Sequence, residues 1–139
     1  MSTRSNIGII ESDGTVTFVY CHFDGYPEHN GALLLAHHNS EAAARLLVSF
    51  GEMSVLGERV NPIGPHSYEK PEEGTCIYYE RDRGEKGCGV AQTASTRDGA
   101  YQQEYCYLWD PKANKKAGAW IWTGHGTAWK RLTPANCRR

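Results

Sequence analysis

Three groups of side chains in this sequence have residue types and spacing that can do chemistry. The first is Tyr20, His22, Asp24 and Tyr26, placed where a β-rich run, Thr15 to Phe23, breaks at Asp24-Gly25-Tyr26-Pro27. Polar groups at a strand end can converge on a ligand. The same residues also suit a turn: Asp24 can bond nearby N–H groups or cap the next helix, Gly25 can supply a positive φ, and His22 can hydrogen-bond in the core. The second group is Tyr79, Arg81, Asp82, Arg83 and Glu85. In an extended segment Tyr79, Arg81 and Arg83 share one side, with Glu80 and Asp82 on the other. Two guanidinium forks beside a tyrosine suit a phosphate or a carboxylate. An Arg–Asp network that only fixes the loop explains them as economically.

The third group is aromatic. Trp109, Trp120, Trp122 and Trp129 are interleaved with Tyr101, Tyr105 and Tyr107 near the C-terminal end. Large rigid rings at this density form either a contact surface for bases or a protein partner, or the core of a small domain. Trp120 and Trp122 share a strand face opposite Ile121, so one face must bury less apolar material or meet a partner.

Other chemistries find little support. Cys21 and His22 point to opposite faces of a strand, and His37 and His38 diverge by about 100° on a helix. With His29 they make no spaced tetrahedral set, so no metal or other cofactor is expected. There is no Gly-x-Ser-x-Gly, and Gly124-His125-Gly126-Thr127 is too short for a phosphate loop and lacks its lysine. The balance leans away from an enzyme.

The elements that must position these groups follow from periodicity and punctuation. Asn6 to Ser12 and Thr15 to Phe23 read as strands joined at Asp13-Gly14, a pair suited to a type I′ turn. Both faces of the second run are apolar or aromatic, which predicts an interior strand. A helix is expected from Pro27 to His38, and a second is expected to be capped at Asn39 or Ser40, supported by Glu41 with Arg45 and stopped by Gly51. Asn61 to Gly74 reads as a surface loop, Thr75 to Glu80 as a strand, and Ser95 to Gln103 as a short helix. Tyr105 to Trp109 and Ala119 to Thr123 read as an antiparallel pair. The fold class expected is α+β. A mainly antiparallel sheet of about five strands (N-terminal hairpin, helix pair, C-terminal strands) is covered on one side by helices, in a single domain over residues 1–139.

Composition narrows the function classes. Fifteen basic residues against 16 acidic ones leave a net charge of −1, which disfavours a nucleic-acid partner. The positive charge at Lys112, Lys115, Lys116, Lys130, Arg131, Arg138 and Arg139 reads as a solvated edge. No apolar run reaches the length of a bilayer span and the start is polar, so the expected location is the cytoplasm, without a membrane partner. The odd set Cys21, Cys76, Cys88, Cys106 and Cys137 fits buried free thiols in a reducing compartment.

Several of these segments together carry a resemblance. They are Thr3-Arg4-Ser5-Asn6-Ile7, Tyr20-Cys21-His22-Phe23-Asp24-Gly25-Tyr26-Pro27-Glu28, Leu56-Gly57-Glu58, Tyr79-Glu80-Arg81-Asp82-Arg83-Gly84-Glu85 and Glu104-Tyr105-Cys106-Tyr107-Leu108-Trp109. In this order, over most of the chain, the sequence resembles a family of small phage- and prophage-encoded proteins. Cys88 and Cys137 lie outside that pattern. The resemblance implies a phage context, where small accessory proteins blunt host defences, but it carries over no catalytic residue. The leading expectation is an inhibitor that binds a bacterial host protein, such as a CRISPR effector or another defence component. The alternative is a nucleotide-handling protein that sequesters or cleaves a small phosphorylated signal. A structural virion accessory ranks last. If the first two groups meet, Tyr20, His22 and Asp24 face Tyr79, Arg81 and Arg83 across a shallow groove. Both arginines are then expected to be dispensable for stability.

Overall fold

The computed structural model describes residues 2–138. The alternating N-terminal runs form the antiparallel hairpin β1 (Ser5–Ile10) and β2 (Val16–Cys21), with Ile10 opposite Val16 and Ser5 opposite Cys21. The turn corrects the two-residue expectation. Gly14 has φ 89°, Asp13 is not in the left-handed region, and Glu11 N–H donates to Thr15 O at 2.7 Å. The loop therefore spans Ser12 to Gly14, a form in which only the last residue needs positive φ. Asp13 stays in place because its Oδ1 accepts from both the Thr15 N–H and its hydroxyl, at 3.0 and 2.6 Å. The two-residue turn with both φ values positive occurs instead at His125-Gly126, 47° and 78°.

The remaining strands are β3 (Met53–Val55), β4 (Ile77–Tyr78), β5 (Gln92–Ala94), β6 (Tyr105–Asp110), β7 (Ala119–Gly124) and β8 (Thr127–Arg131). They join in the order β4-β3-β2-β1-β6-β7-β8, with β5 also on β2, so the sheet has eight strands rather than about five. Most pairs are antiparallel, but β1 with β6 and β2 with β3 are parallel. Of the strands not expected, β3 and β5 have three residues each, too few for alternation to show in sequence, and β8 has five. As expected, β2 is interior, between β1 on one side and β3 and β5 on the other.

Between Pro27 and His38 the chain starts as a π-helical turn (Pro27–Gly31) and continues as α1 (Ala32–His37). Helix α2 (Glu41–Val48) begins where Ser40 Oγ accepts from Ala43 N–H at 3.1 Å, carries the Arg45–Glu41 pair at 3.3 Å, and is followed by Gly51 at φ 81°. A short α3 (Tyr79–Arg83) follows β4 directly, replacing the second half of the strand expected from Thr75 to Glu80. The expected helix from Ser95 to Gln103 is reduced to one 3-10 turn at Asp98–Ala100.

Two apolar clusters form, one on each face of the sheet. Ile7, Ile9, Val19 and Cys21 pack with Leu34 of α1 and Ala44, Leu47 and Val48 of α2. Trp109, Trp120 and Trp122 belong to this cluster and are 4%, 1% and 7% exposed, so the tryptophan-rich face is core and not a contact surface. On the other face Val16, Phe18, Cys106, Leu108 and Ile121 pack beneath Ala100, Tyr101 and Trp129. Neither face of β7 is left open. Among the described residues no helix is long and apolar enough to cross a membrane.

Gly8 lets the second face close. A Cβ there would lie 2.3 Å from Thr17 O and 2.7 Å from Phe18 Cβ. Gly8→Ala is therefore expected to lower stability by about 1–3 kcal/mol through overpacking. Gly64→Ala, whose Cβ would meet only the Glu72 carboxylate at 3.5 Å, is expected to change it by less than about 1 kcal/mol. Urea unfolding of the two variants measures the difference.

Candidate functional site

The Arg-Asp-Arg segment is helical, and that redirects its side chains. Asp82 Oδ2 accepts from Tyr78 N–H at 2.8 Å, which fastens the start of α3, and Gly84 at φ 78° ends the helix with its N–H on Glu80 O at 3.0 Å. At about 100° per residue, positions 81 and 83 lie on opposite sides of a helix, whereas a strand would have put them together. The expectation that Arg81 and Arg83 act as a pair is thereby corrected.

Arg81 turns inward. Its guanidinium donates to Val60 O at 2.7 Å, to Cys76 O at 3.0 Å and to both Asp82 oxygens at 2.8 and 3.0 Å, and it lies over the Phe50 and Tyr78 rings. It ties three backbone segments to the core. Asp82 is the centre of this network: its side chain is 6% exposed, and His66 Nε2 approaches Oδ2 at 3.2 Å, in poor hydrogen-bond geometry. Burial opposes ionisation of Asp82, but the Arg81 and Tyr78 bonds and the nearby His66 together outweigh it and hold the carboxyl below its ordinary range. The His66 Nδ1 accepts from Glu72 N–H at 3.0 Å, which leaves the ring proton on Nε2 in the neutral form.

Arg83 turns outward. It is half exposed, lies over the rings of Tyr68 and Tyr79 with centroids 5.0 and 5.8 Å away, and is 3.8 Å from Glu85. The row Cys21–Met53–Tyr78, paired across β2, β3 and β4, faces the core. Tyr20, next to Cys21 in β2, therefore faces the other way, and Tyr79, the first residue of α3, lies close enough to feel the Tyr20 hydroxyl electrostatically. Burial raises the pKa of both hydroxyls. Tyr20 Oη lies 2.6 Å from His22 Nδ1, and His22 meets Phe23 edge to face at 4.5 Å. The result is a strip of Phe23, His22, Tyr20, Tyr79, Tyr68 and Arg83.

The expected groove is thus only half assembled. Tyr20 stays with His22, and Tyr79 stays with Tyr68 and Arg83; what links the two groups is the electrostatic effect of the Tyr20 hydroxyl on Tyr79. Asp24 and Tyr26 do other work. Asp24, not Gly25, takes the positive φ (58°), its carbonyl accepts from Asn30 N–H at 3.3 Å, and its Oδ1 accepts from the Tyr26 hydroxyl at 3.2 Å. Gly25 is needed for close approach, since a Cβ there would lie 2.9 Å from Thr3 O. Glu85 stands at the exposed tip beside Arg83. Sequence reasoning missed Tyr68 and Phe23 as members of the strip. Tyr68 comes from the proline-rich loop, and no periodicity there signals that it folds back onto α3.

That loop is itself held firmly. Glu72 accepts from the Thr75 hydroxyl at 2.5 Å and from the N–H groups of Ile63 and Gly64 at 3.0 and 2.7 Å, with Arg59 at 3.4 Å. The Thr75 bond, then the two backbone bonds, push its pKa down to about 2. Among the described residues no group of three or more His, Cys, Asp or Glu is placed to share a metal ion. No family model, curated protein or solved structure matches this chain.

Two outcomes follow. Arg81→Ala leaves Asp82 and two carbonyls without their partner and is expected to cost about 2–4 kcal/mol, while Arg83→Ala is expected to cost about 0.5 kcal/mol or less, both read by thermal and urea unfolding. The Glu72 carboxyl is depressed in the folded state, so its contribution is intact above its unfolded pKa and fades as pH falls through about 2. The Ile63 and Gly64 amide proton shifts are expected to titrate together near that pH. Midpoints in the ordinary glutamate range would mean that the carboxylate does not hold the loop.

Proposed function

We propose that this chain is a phage-encoded accessory protein that binds a bacterial host protein and blocks it, with the strip of Tyr20, His22, Phe23, Tyr68, Tyr79 and Arg83 as its contact surface. The observation that carries this reading is the half-exposed Arg83 guanidinium over the half-buried rings of Tyr68 and Tyr79, together with the exposed Phe23 ring against His22. Tyrosine and arginine dominate binding hot spots because each offers a large contact area together with a directional polar group. Phe23 is 40% exposed and gains burial when covered. The phage context comes from the sequence resemblance, which makes a component of an antiviral defence system the favoured target. The nucleotide-handling reading loses ground because Arg81, half of its phosphate clamp, spends its donors on Val60 O, Cys76 O and Asp82.

The test is retention of host proteins from a bacterial lysate on the immobilised chain, beside mass spectrometry of small molecules released by denaturing it. One stoichiometric host protein is expected on the wild type, and it should be lost from Arg83→Ala and Tyr79→Ala variants whose melting temperature stays within a few degrees. A nucleotide released in stoichiometric amount, with no host protein retained, would point to the alternative.

A further inference from the structure

On the face of the sheet away from α1 and α2, the apolar cluster around Phe18 and Cys106 gives way to a polar cavity of about 360 Å³. Tyr20, Asn6 and Cys106 stand directly opposite one another across β2, β1 and β6, so their side chains share that face. Tyr20 and Asn6 line the cavity together with Arg4, Glu52 and three glutamines, Gln92, Gln102 and Gln103. The volume suits a small molecule, but no aliphatic side chain is among the lining residues, so an apolar ligand would bury little against them.

Asn6 is the residue that calls for a ligand. It is 1% exposed, and its Oδ1 accepts from Gln102 N–H at 3.0 Å, which fixes the orientation of the amide. Its Nδ2 donates to no described residue, and the side chain lines the cavity. A buried amide donor without an acceptor is costly, and a ligand oxygen at this point would remove the cost.

Two charged groups flank this donor. The Arg4 guanidinium lowers the pKa of the Tyr20 hydroxyl and the Glu52 carboxylate raises it, so both charges act on one wall of the cavity. Neither forms an ion pair with the other or with any other described residue. Their backbones are nevertheless fixed. Arg4 N–H donates to Glu104 Oε2 and Glu52 N–H to Cys88 O, both at 2.8 Å, and Glu52 O accepts from Tyr79 N–H at 3.1 Å. A phosphate or other plain anion here would meet Arg4 but be repelled by Glu52, and a plain cation would meet the reverse. A small ligand that carries both charges satisfies both groups.

We infer that this cavity binds a free α-amino acid with a polar side chain in its zwitterionic form. Its carboxylate accepts from Arg4 and from Asn6 Nδ2, its ammonium donates to Glu52, and its side chain meets the amides of Gln92 and Gln103. The site does not rest on the contact surface proposed above, with which it shares only Tyr20.

The test titrates the full chain, labelled with ¹⁵N, with each of the common amino acids at millimolar concentration. At least one polar amino acid is expected to shift the Asn6 side-chain NH₂ signals saturably. Its N-acetyl and methyl-ester derivatives, each lacking one charge, should bind roughly 10- to 100-fold more weakly, the effect of one charged hydrogen bond. Arg4→Gln and Glu52→Gln are expected to melt within a few degrees of the wild type and to weaken binding of the parent amino acid by a similar factor. Glu52→Gln should also cease to distinguish the amino acid from its N-acetyl derivative, and Arg4→Gln from its methyl ester, a pattern that a merely structural role would not produce. The inference is overturned if no amino acid shifts the Asn6 signals, if the derivatives bind as well as the parent, or if inorganic phosphate or AMP binds in preference to every amino acid.

Discussion

The Asp82 carboxylate is the interaction on which this surface depends. With its side chain 6% exposed, it accepts from Arg81 and from Tyr78 N–H and sits against the His66 ring. A buried carboxylate is tolerable only when its lone pairs are taken up, and here an arginine and a backbone amide take them up. Three consequences follow. The chain leaves β4 as a helical turn and not as a longer strand; Arg81 is drawn inward; and the proline-rich loop is tied down through His66. Arg83 and Tyr68 come together as a result of all three.

The sheet behind the surface is shaped by where its bulky rings go. Trp120 spans the core to donate its Nε1–H to His38 O at 3.0 Å, and Tyr107 donates its hydroxyl to Gly25 O at 2.6 Å. These bonds link β6 and β7 to the helical segment and to the turn after β2, and they satisfy polar groups that would otherwise be buried alone. The tryptophans of β6 and β7 are therefore inside, and of the Phe, Tyr and Trp rings among the described residues Phe23 is the exposed one.

The sequence by itself determined the local elements whose signals are short-range. Alternation set the β1–β2 hairpin and the β6–β7 pair, the two apolar faces of β2 made it interior, and Ser40, Glu41, Arg45 and Gly51 marked α2, because capping, pairing and pleat act between residues a few positions apart. It also brought out Tyr20, His22, Tyr79 and Arg83 as residues to watch. Tertiary structure alone decided the rest. The three-residue strands β3 and β5 exist only because the longer β2 offers them an edge, and β1 pairs with β6 across about a hundred residues of chain. Arg81 and Arg83 have the same local sequence signal, and what separates them is a helical turn held by Asp82 together with two carbonyls, Val60 O and Cys76 O, supplied by other segments. The placement of Tyr68 was invisible for the same reason: it depends on Glu72, His66 and Asp82 closing a loop, and loop closure is a long-range balance of bonds against entropy that no local pattern encodes.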